Sequence, residues 1–442
     1  MTILPRFLIG WASIGSVIAS ASFVGWAQEV PRGATNEDQA RTAMMHGDYS
    51  KAERLYRSAM EKQPASAALL VDLGIALQMQ GKANEAIHKF EQSLKLNHIP
   101  RTFALLAEER CISLDLDGAR PMVNKIIQQY AQEPNTIAIV APCYLDVDEP
   151  LESVRAYTIL LRDDDYPHDL ALVQLAKSFL GSAQYFVTQL RSRPASRPYL
   201  TALSEASASG NARSAFPLAQ QASSNFRADQ GFDAVLTTWR QHQDDLALLY
   251  QLTVLSGEES MQQVQFCNEQ YPNSPYLAQL EFEMLADAGR EDEAVSGFEG
   301  LLHSHPELPD LRHQLGMLYR KQNQWEKALK VFREELSANP GDERVAARVS
   351  EALGHLMRWT ELHNFLVPRL QQADKSLWAI LDFSDALEHL GETEKAISFL
   401  STAKAEYPSN RTVHFRLLHL YRDTGQRAKA MAEAEWFKKQ PK

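Results

Sequence analysis

The sequence predicts an all-α chain, a solenoid of about 12 stacked helix-turn-helix units over residues 33–442. Three observations predict it. Residue types recur every 34 positions, the apolar residues inside each period keep helical spacing, and the composition is that of a folded chain, 45% hydrophobic and 23% charged. In the C-terminal half, Pro272, Pro306, Pro340 and Pro408 fall on one column of the 34-residue period, with Asp374 in the vacant place. Four more columns keep step: Ala294, Ala328, Leu362, Ala396, Ala430; Phe298, Phe332, Leu366, Leu400, Ala434; Leu285, Tyr319, Leu353, Leu387, Tyr421; and Gly289, Asn323, Met357, Gly391, Gly425. The N-terminal half has the same period in Ala52 and Ala86, Tyr56 and Phe90, Gly47 and Gly81, with Pro64 closing the first unit. The phase of the two halves differs by four residues, which places an insertion in the weakly patterned stretch 169–240.

Within one unit, Leu311, Leu315, Leu318 and Tyr319 mark one helical face and Trp325, Ala328, Leu329, Phe332 and Leu336 mark another. Pro340 ends the second helix, because it has no N–H to donate and disfavours helix in the residue before it. Gly341-Asp-Glu-Arg344 then gives a stop and an acidic first turn. Gly316 and Ala328 are small where two helices must approach, and Tyr319 and Phe332 fill the space beside them. Each pair leaves an apolar flank that only its neighbour can cover, which makes an array.

Leu315-Gly316-x-x-Tyr319, Ala328-x-x-x-Phe332 and Pro340 resemble the tetratricopeptide repeat signature, and Leu73-Gly74-x-x-Leu77, Gly81, Ala86 and Phe90 repeat it less fully. The resemblance implies a right-handed α-solenoid: repeats over 33–168, irregular repeats over 169–240, and regular repeats over 241–442. It also implies an interaction scaffold rather than an enzyme.

The N-terminus reads as a targeting segment. Arg6 is the one charged side chain before Glu29, and the run from Phe7 to Gln28 is uncharged, with small residues Gly25 and Ala27 at its exit. That is the pattern of a signal peptide, 1–27, cleaved after Ala27, with an uncleaved inner-membrane anchor over 7–27 as the alternative. No Cys follows before Cys111, so no lipoprotein site is present, and no Arg-Arg pair supports a twin-arginine route. The expected location is periplasmic or extracellular.

Chemistry-bearing patterns are few. Phosphate-binding glycine loops, H-E-x-x-H, G-x-S-x-G and C-x-x-C are all absent, and no catalytic set, metal site or cofactor is expected. Cys111 stands 34 after Leu77 in a core column, and a disulfide among Cys111, Cys143 and Cys267 is left open. His303-Ser-His305 reads as a helix end, and Asp163-Asp-Asp165 as a solvated turn without the glycine and closing Glu of a calcium loop. Lys+Arg 45 against Asp+Glu 56 gives a net charge of −11, which argues against nucleic acid as a partner. Residues 411–442, with eight basic residues against three acids, read as a polar cap or a basic docking patch.

In proteins like this family the first helices of successive repeats line a groove. By that analogy His313, Met317 and Arg320 face inward, followed by Glu351, then Asp385 and Glu388, then Phe415, His419 and Arg422, with Trp378 as a second aromatic candidate. A Lys/Asn/Arg clamp for a terminal carboxylate is not matched, since the early repeats present Val71, Ile75 and Gln78. The expected function is a non-enzymatic scaffold that binds protein or peptide in envelope assembly or secretion. A polysaccharide-binding solenoid ranks second, and an enzyme with a site hidden in 169–240 third. A membrane enters only if residues 7–27 stay uncleaved.

Overall fold

The computed structural model describes residues 35–62, 66–113, 115–209, 211–308, 310–338, 340, 342–370 and 376–439. The expected signal segment, Pro64, Gly341 and Asp374 lie outside them. Among the described residues every regular element is helical: 24 α-helices and a short 3-10 turn at Pro194–Ser196. Two compact bodies divide between Gln314 and Leu315.

The N-terminal body opens with three pairs: α1 (Asn36–Met45) and α2 (Tyr49–Lys62), α3 (Ala67–Gln78) and α4 (Ala83–Leu96), α5 (Pro100–Ile112) and α6 (Leu116–Gln129). The shorter α7 (Pro134–Val140), α8 (Cys143–Asp146) and α9 (Pro150–Leu160) follow. Pair logic then gives way. α10 (His168–Arg191) and α14 (Leu246–Gln270) run 24 and 25 residues and pack along one another. Neither contains a proline or a left-handed residue, the two devices that end helices in the regular repeats. Between them the chain carries α11 (Arg197–Ser209), α12 (Phe216–Ala222) and α13 (Phe232–Gln241). This excursion is well packed. Phe179 meets Phe232 edge-on at 5.2 Å, Phe186 meets Trp239 at 5.5 Å, and both pairs join the core that runs from Ala40 to Leu255. α15 (Pro275–Asp287) and α16 (Glu291–Ser304) resume the pairs.

The division falls inside α17 (Leu311–Lys321). The C-terminal body continues with α18 (Trp325–Ala338), α19 (Glu343–His355), α20 (Trp359–Leu370), α21 (Leu377–His389), α22 (Thr393–Glu406), α23 (Arg411–Asp423) and α24 (Arg427–Lys439).

Each sequence column has a physical task. Gly289, Asn323, Met357, Gly391 and Gly425 all adopt positive φ, between 56° and 80°, just past the end of a first helix. The next residue's N–H then reaches back to the fourth column: Arg290 to Leu285, Gln324 to Tyr319, Arg358 to Leu353, Glu392 to Leu387 and Gln426 to Tyr421, at 2.7–2.9 Å. That is a left-handed helix cap, repeated five times. The prolines sit two residues beyond the ends of α14, α16, α18 and α22. Gly316 marks the closest approach: a Cβ there would lie 2.4 Å from the ring of Phe332, which is fully buried. Gly74 stands in the same relation to Phe90, at 2.5 Å.

Candidate functional site

In the C-terminal body the first helices of successive pairs are α17, α19, α21 and α23. Asp342 caps α19 through the N–H groups of Arg344 and Val345, and Asn410 caps α23 through those of Thr412 and Val413. The caps fix where each helix starts and so which residues share its face.

Polar residues on these helices form a ladder. Arg320 Nε donates to Glu351 Oε1 at 2.9 Å, and Arg348 donates to the other oxygen at 2.6 Å. Burial pushes the Glu351 carboxyl up, but the hydrogen bonds from the two guanidinium groups outweigh it and hold it below the usual value. One repeat on, Ser350 donates to Asp382 at 2.7 Å. Next, Arg416 pairs with Asp385 and also donates to the Leu381 carbonyl at 2.6 Å. Burial raises Asp382 and Asp385 from their ordinary value, with Arg416 opposing.

The structure therefore sorts the sequence candidates into two groups. Arg320, Glu351 and Asp385 are half-buried and engaged with neighbouring helices. Trp378 is half-buried beside Glu343. Met317 is half-buried in the C-terminal body, and His313 is half-buried in the N-terminal one. Glu388, Phe415, His419 and Arg422 are exposed. Phe415 is 53% exposed, and its ring lies 4.4 Å from that of His419 on the next turn of α23. An exposed aromatic beside an imidazole, with an exposed guanidinium further along the same helix, is the accessible chemistry of this face.

Sequence reasoning missed Arg348, Asp382 and Arg416. A signal was present: the three lie 34 apart and are all charged, on first helices of successive repeats. It also missed Glu108 and Glu109 on α5, which are buried. Glu108 stands one period after Gly74, a carboxylate in a close-approach column. Burial raises Glu108 to about 7, although Gln78 donates to it at 3.4 Å, and burial raises Glu109 well above its usual value.

Elsewhere, a cleft of about 670 Å³ in the N-terminal body is lined by Tyr199, Asn225, His242, Asp244 and Asp245 among others. Its carboxylates have structural work. Asp245 caps α14 and accepts from Ser223 and Asn225, and Asp244 pairs with Arg193. Among the described residues no three His, Cys, Asp or Glu side chains are grouped to hold a metal, and no helix is long and apolar enough to cross a membrane.

Residues 43–108 and 311–345 match family models of the tetratricopeptide repeat. A tetratricopeptide repeat protein from Parabacteroides merdae is 14% identical over 72% of this chain and 97% of that one, with a TM-score of 0.42. Yeast Tom70 is 11% identical over 92% of this chain and 98% of that one, with a TM-score of 0.29. No curated protein matches the chain.

Proposed function

The chain is a tetratricopeptide repeat protein, and we propose that it is a non-enzymatic scaffold of the cell envelope. It holds a protein or peptide partner on the first-helix face of its C-terminal body, in assembly or secretion. The observation that carries this reading is the exposed Phe415, its ring 4.4 Å from that of His419, with Arg422 exposed further along α23. A large ring left in water is what a partner's apolar anchor would cover. Export rests on the Arg6–Ala27 pattern, and the expected mature N-terminus is Gln28.

The polysaccharide reading stands second. It needs ring platforms, and Trp378 is half-buried against Glu343, so Phe415 stands alone among the two aromatic candidates as an exposed ring. Pull-down from envelope extract with the wild-type chain and a Phe415→Ala/Arg422→Ala double variant tests the proposal. Both side chains are exposed, so the variant should melt within about 1–2 °C of wild type, in keeping with surface substitutions, and lose its partner. Equal capture by both would remove the partner surface from α23.

A further inference from the structure

His414 on α23 is 1% exposed, and both of its ring nitrogens meet acceptors. Nδ1 lies 2.6 Å from Glu433 Oε2 on α24, and Nε2 lies 2.9 Å from the Pro408 carbonyl. A carbonyl oxygen can only accept. The Glu433 carboxyl, 2% exposed, takes a second hydrogen bond at Oε1 from Lys404 Nζ on α22, also at 2.6 Å, which favours its ionised form. An ionised carboxylate only accepts as well. Both ring nitrogens must therefore donate, and only the imidazolium carries two N–H groups. The ring also lies flat against the indole of Trp436, 3.6 Å between centroids and 8° from parallel, a position that favours a cation.

This cluster is peculiar to the last pair. One and two periods earlier, the column of His414 holds Ile380 and Ala346, and the column of Glu433 holds Phe399 and Phe365. Apolar side chains fill these places without the desolvation cost of a buried ion pair. α22 and α24 are the helices packed on α23, and the charged groups that face the imidazole are Glu433 from α24 and, across it, Lys404 from α22. Their neighbours are turned to other partners. Arg416 pairs with Asp385 of α21, Arg411 lies over the Phe437 ring, Lys429 lies over the Tyr421 ring, and Lys438 pairs with Glu435.

We propose that His414 is a pH-sensitive latch of the last pair: as the imidazolium it ties α24 to α23, and loss of its proton loosens α24. The proton leaves one ring nitrogen for solvent. A lone pair is then left opposite either the Glu433 carboxylate or the Pro408 carbonyl, in a place closed to water. The folded chain thus holds a proton that the unfolded chain releases. The latch is closed at acid pH and weakens as pH rises through the range in which imidazole titrates. His414 directly precedes Phe415, so one helix carries both the latch and the exposed ring. The inference goes beyond the scaffold reading and does not rest on it, since the latch belongs to the chain alone.

Hydrogen exchange of the full chain tests it, read by mass spectrometry on peptides covering α24 and corrected for the intrinsic pH dependence of exchange. With one proton linked to opening, the opening constant of α24 should rise by roughly tenfold per pH unit above about pH 6.5. His414→Ile with Glu433→Phe restores the residues of the preceding repeat, and should remove that slope while α24 stays protected. Nuclear magnetic resonance of the full chain labelled with nitrogen-15 histidine reads the proton directly. The imidazole lost from the double variant is His414, and both its nitrogens should carry protons at about pH 7. A bare nitrogen on that ring would overturn the imidazolium, and a slope that survives in the double variant would overturn the latch. If the double variant leaves α24 unprotected at every pH, Glu433→Gln, which keeps the shape and removes the charge, decides by the same slope: a smaller slope supports the latch, and an unchanged one overturns it.

Discussion

The left-handed cap column makes a quantitative prediction at Met357. Its φ is 56°, in the region where a Cβ crowds the following carbonyl, and its side chain is 74% exposed. The geometry is held by the Met357 N–H to Gly354 bond at 3.0 Å and the Arg358 N–H to Leu353 bond at 2.9 Å. Met357→Gly removes a left-handed penalty of roughly 1–2 kcal/mol and gives back about 0.5–1 kcal/mol of unfolded-state entropy. Little packing is lost, so the net gain is about 1 kcal/mol. Gly391→Ala is the inverse. Its φ is 80°, and an added Cβ would meet nothing within 4 Å, so the cost is conformational alone, about 1 kcal/mol. The C-terminal body contains Trp325, Trp359, Trp378 and Trp436, so tryptophan fluorescence follows its unfolding. For a body of this size the two variants should shift the midpoint by roughly 3–5 °C in opposite directions. If Met357→Gly is neutral or destabilising while Gly391→Ala is neutral, the column does not cap these helices.

Three further outcomes are expected. Gly316→Ala should cost about 1–3 kcal/mol by overpacking, because the ring of Phe332 has no room to retreat, and Phe332→Leu in the same chain should recover part of it in thermal melts. Glu108 has its folded value raised from 4.5 to about 7, so the folded state keeps a proton that the unfolded state has lost across that interval; stability of the N-terminal body should fall as pH rises from about 4.5 to 7. That loss is worth about 3 kcal/mol, and Glu108→Gln should flatten the slope in urea unfolding between pH 5 and 8 and raise stability above pH 7; parallel slopes in the two chains would refute the assignment. Arg320→Ala should lower the C-terminal melting midpoint, because it strips a half-buried carboxylate of one partner, whereas Arg422→Ala should leave it unchanged.

The regular repeats were legible in sequence because each column does the same physical job in every copy. Pro306 and Pro340 end second helices, Ala294 and Ala328 sit at crowded crossings, and Leu285 and Tyr319 offer the carbonyl that closes the cap. The task of the fifth column was hidden, since Met357 and Asn323 share no side-chain property with Gly391, only a backbone conformation. The stretch 169–240 was visible as a loss of period, but its architecture depends on contacts between α10 and α14, whose starts lie far apart in sequence. Period analysis cannot see such a pair. At the candidate site, first-helix positions were found by analogy. Whether Arg320 faces water or Glu351 depends on the register between neighbouring repeats, which brings Arg320 to Glu351, Ser350 to Asp382 and Arg416 to Asp385.

The central claim is that the first-helix face of the C-terminal body holds a partner in the envelope. Photo-cross-linking in cells tests it most directly, with a photoreactive residue replacing Phe415 in one chain and Met431, 69% exposed on the second helix of the same pair, in another. The account predicts a discrete protein adduct from position 415 that is lost on Arg422→Ala, and none from position 431. An adduct from 431 alone, or none from 415 under conditions where the chain is folded and abundant, would contradict it.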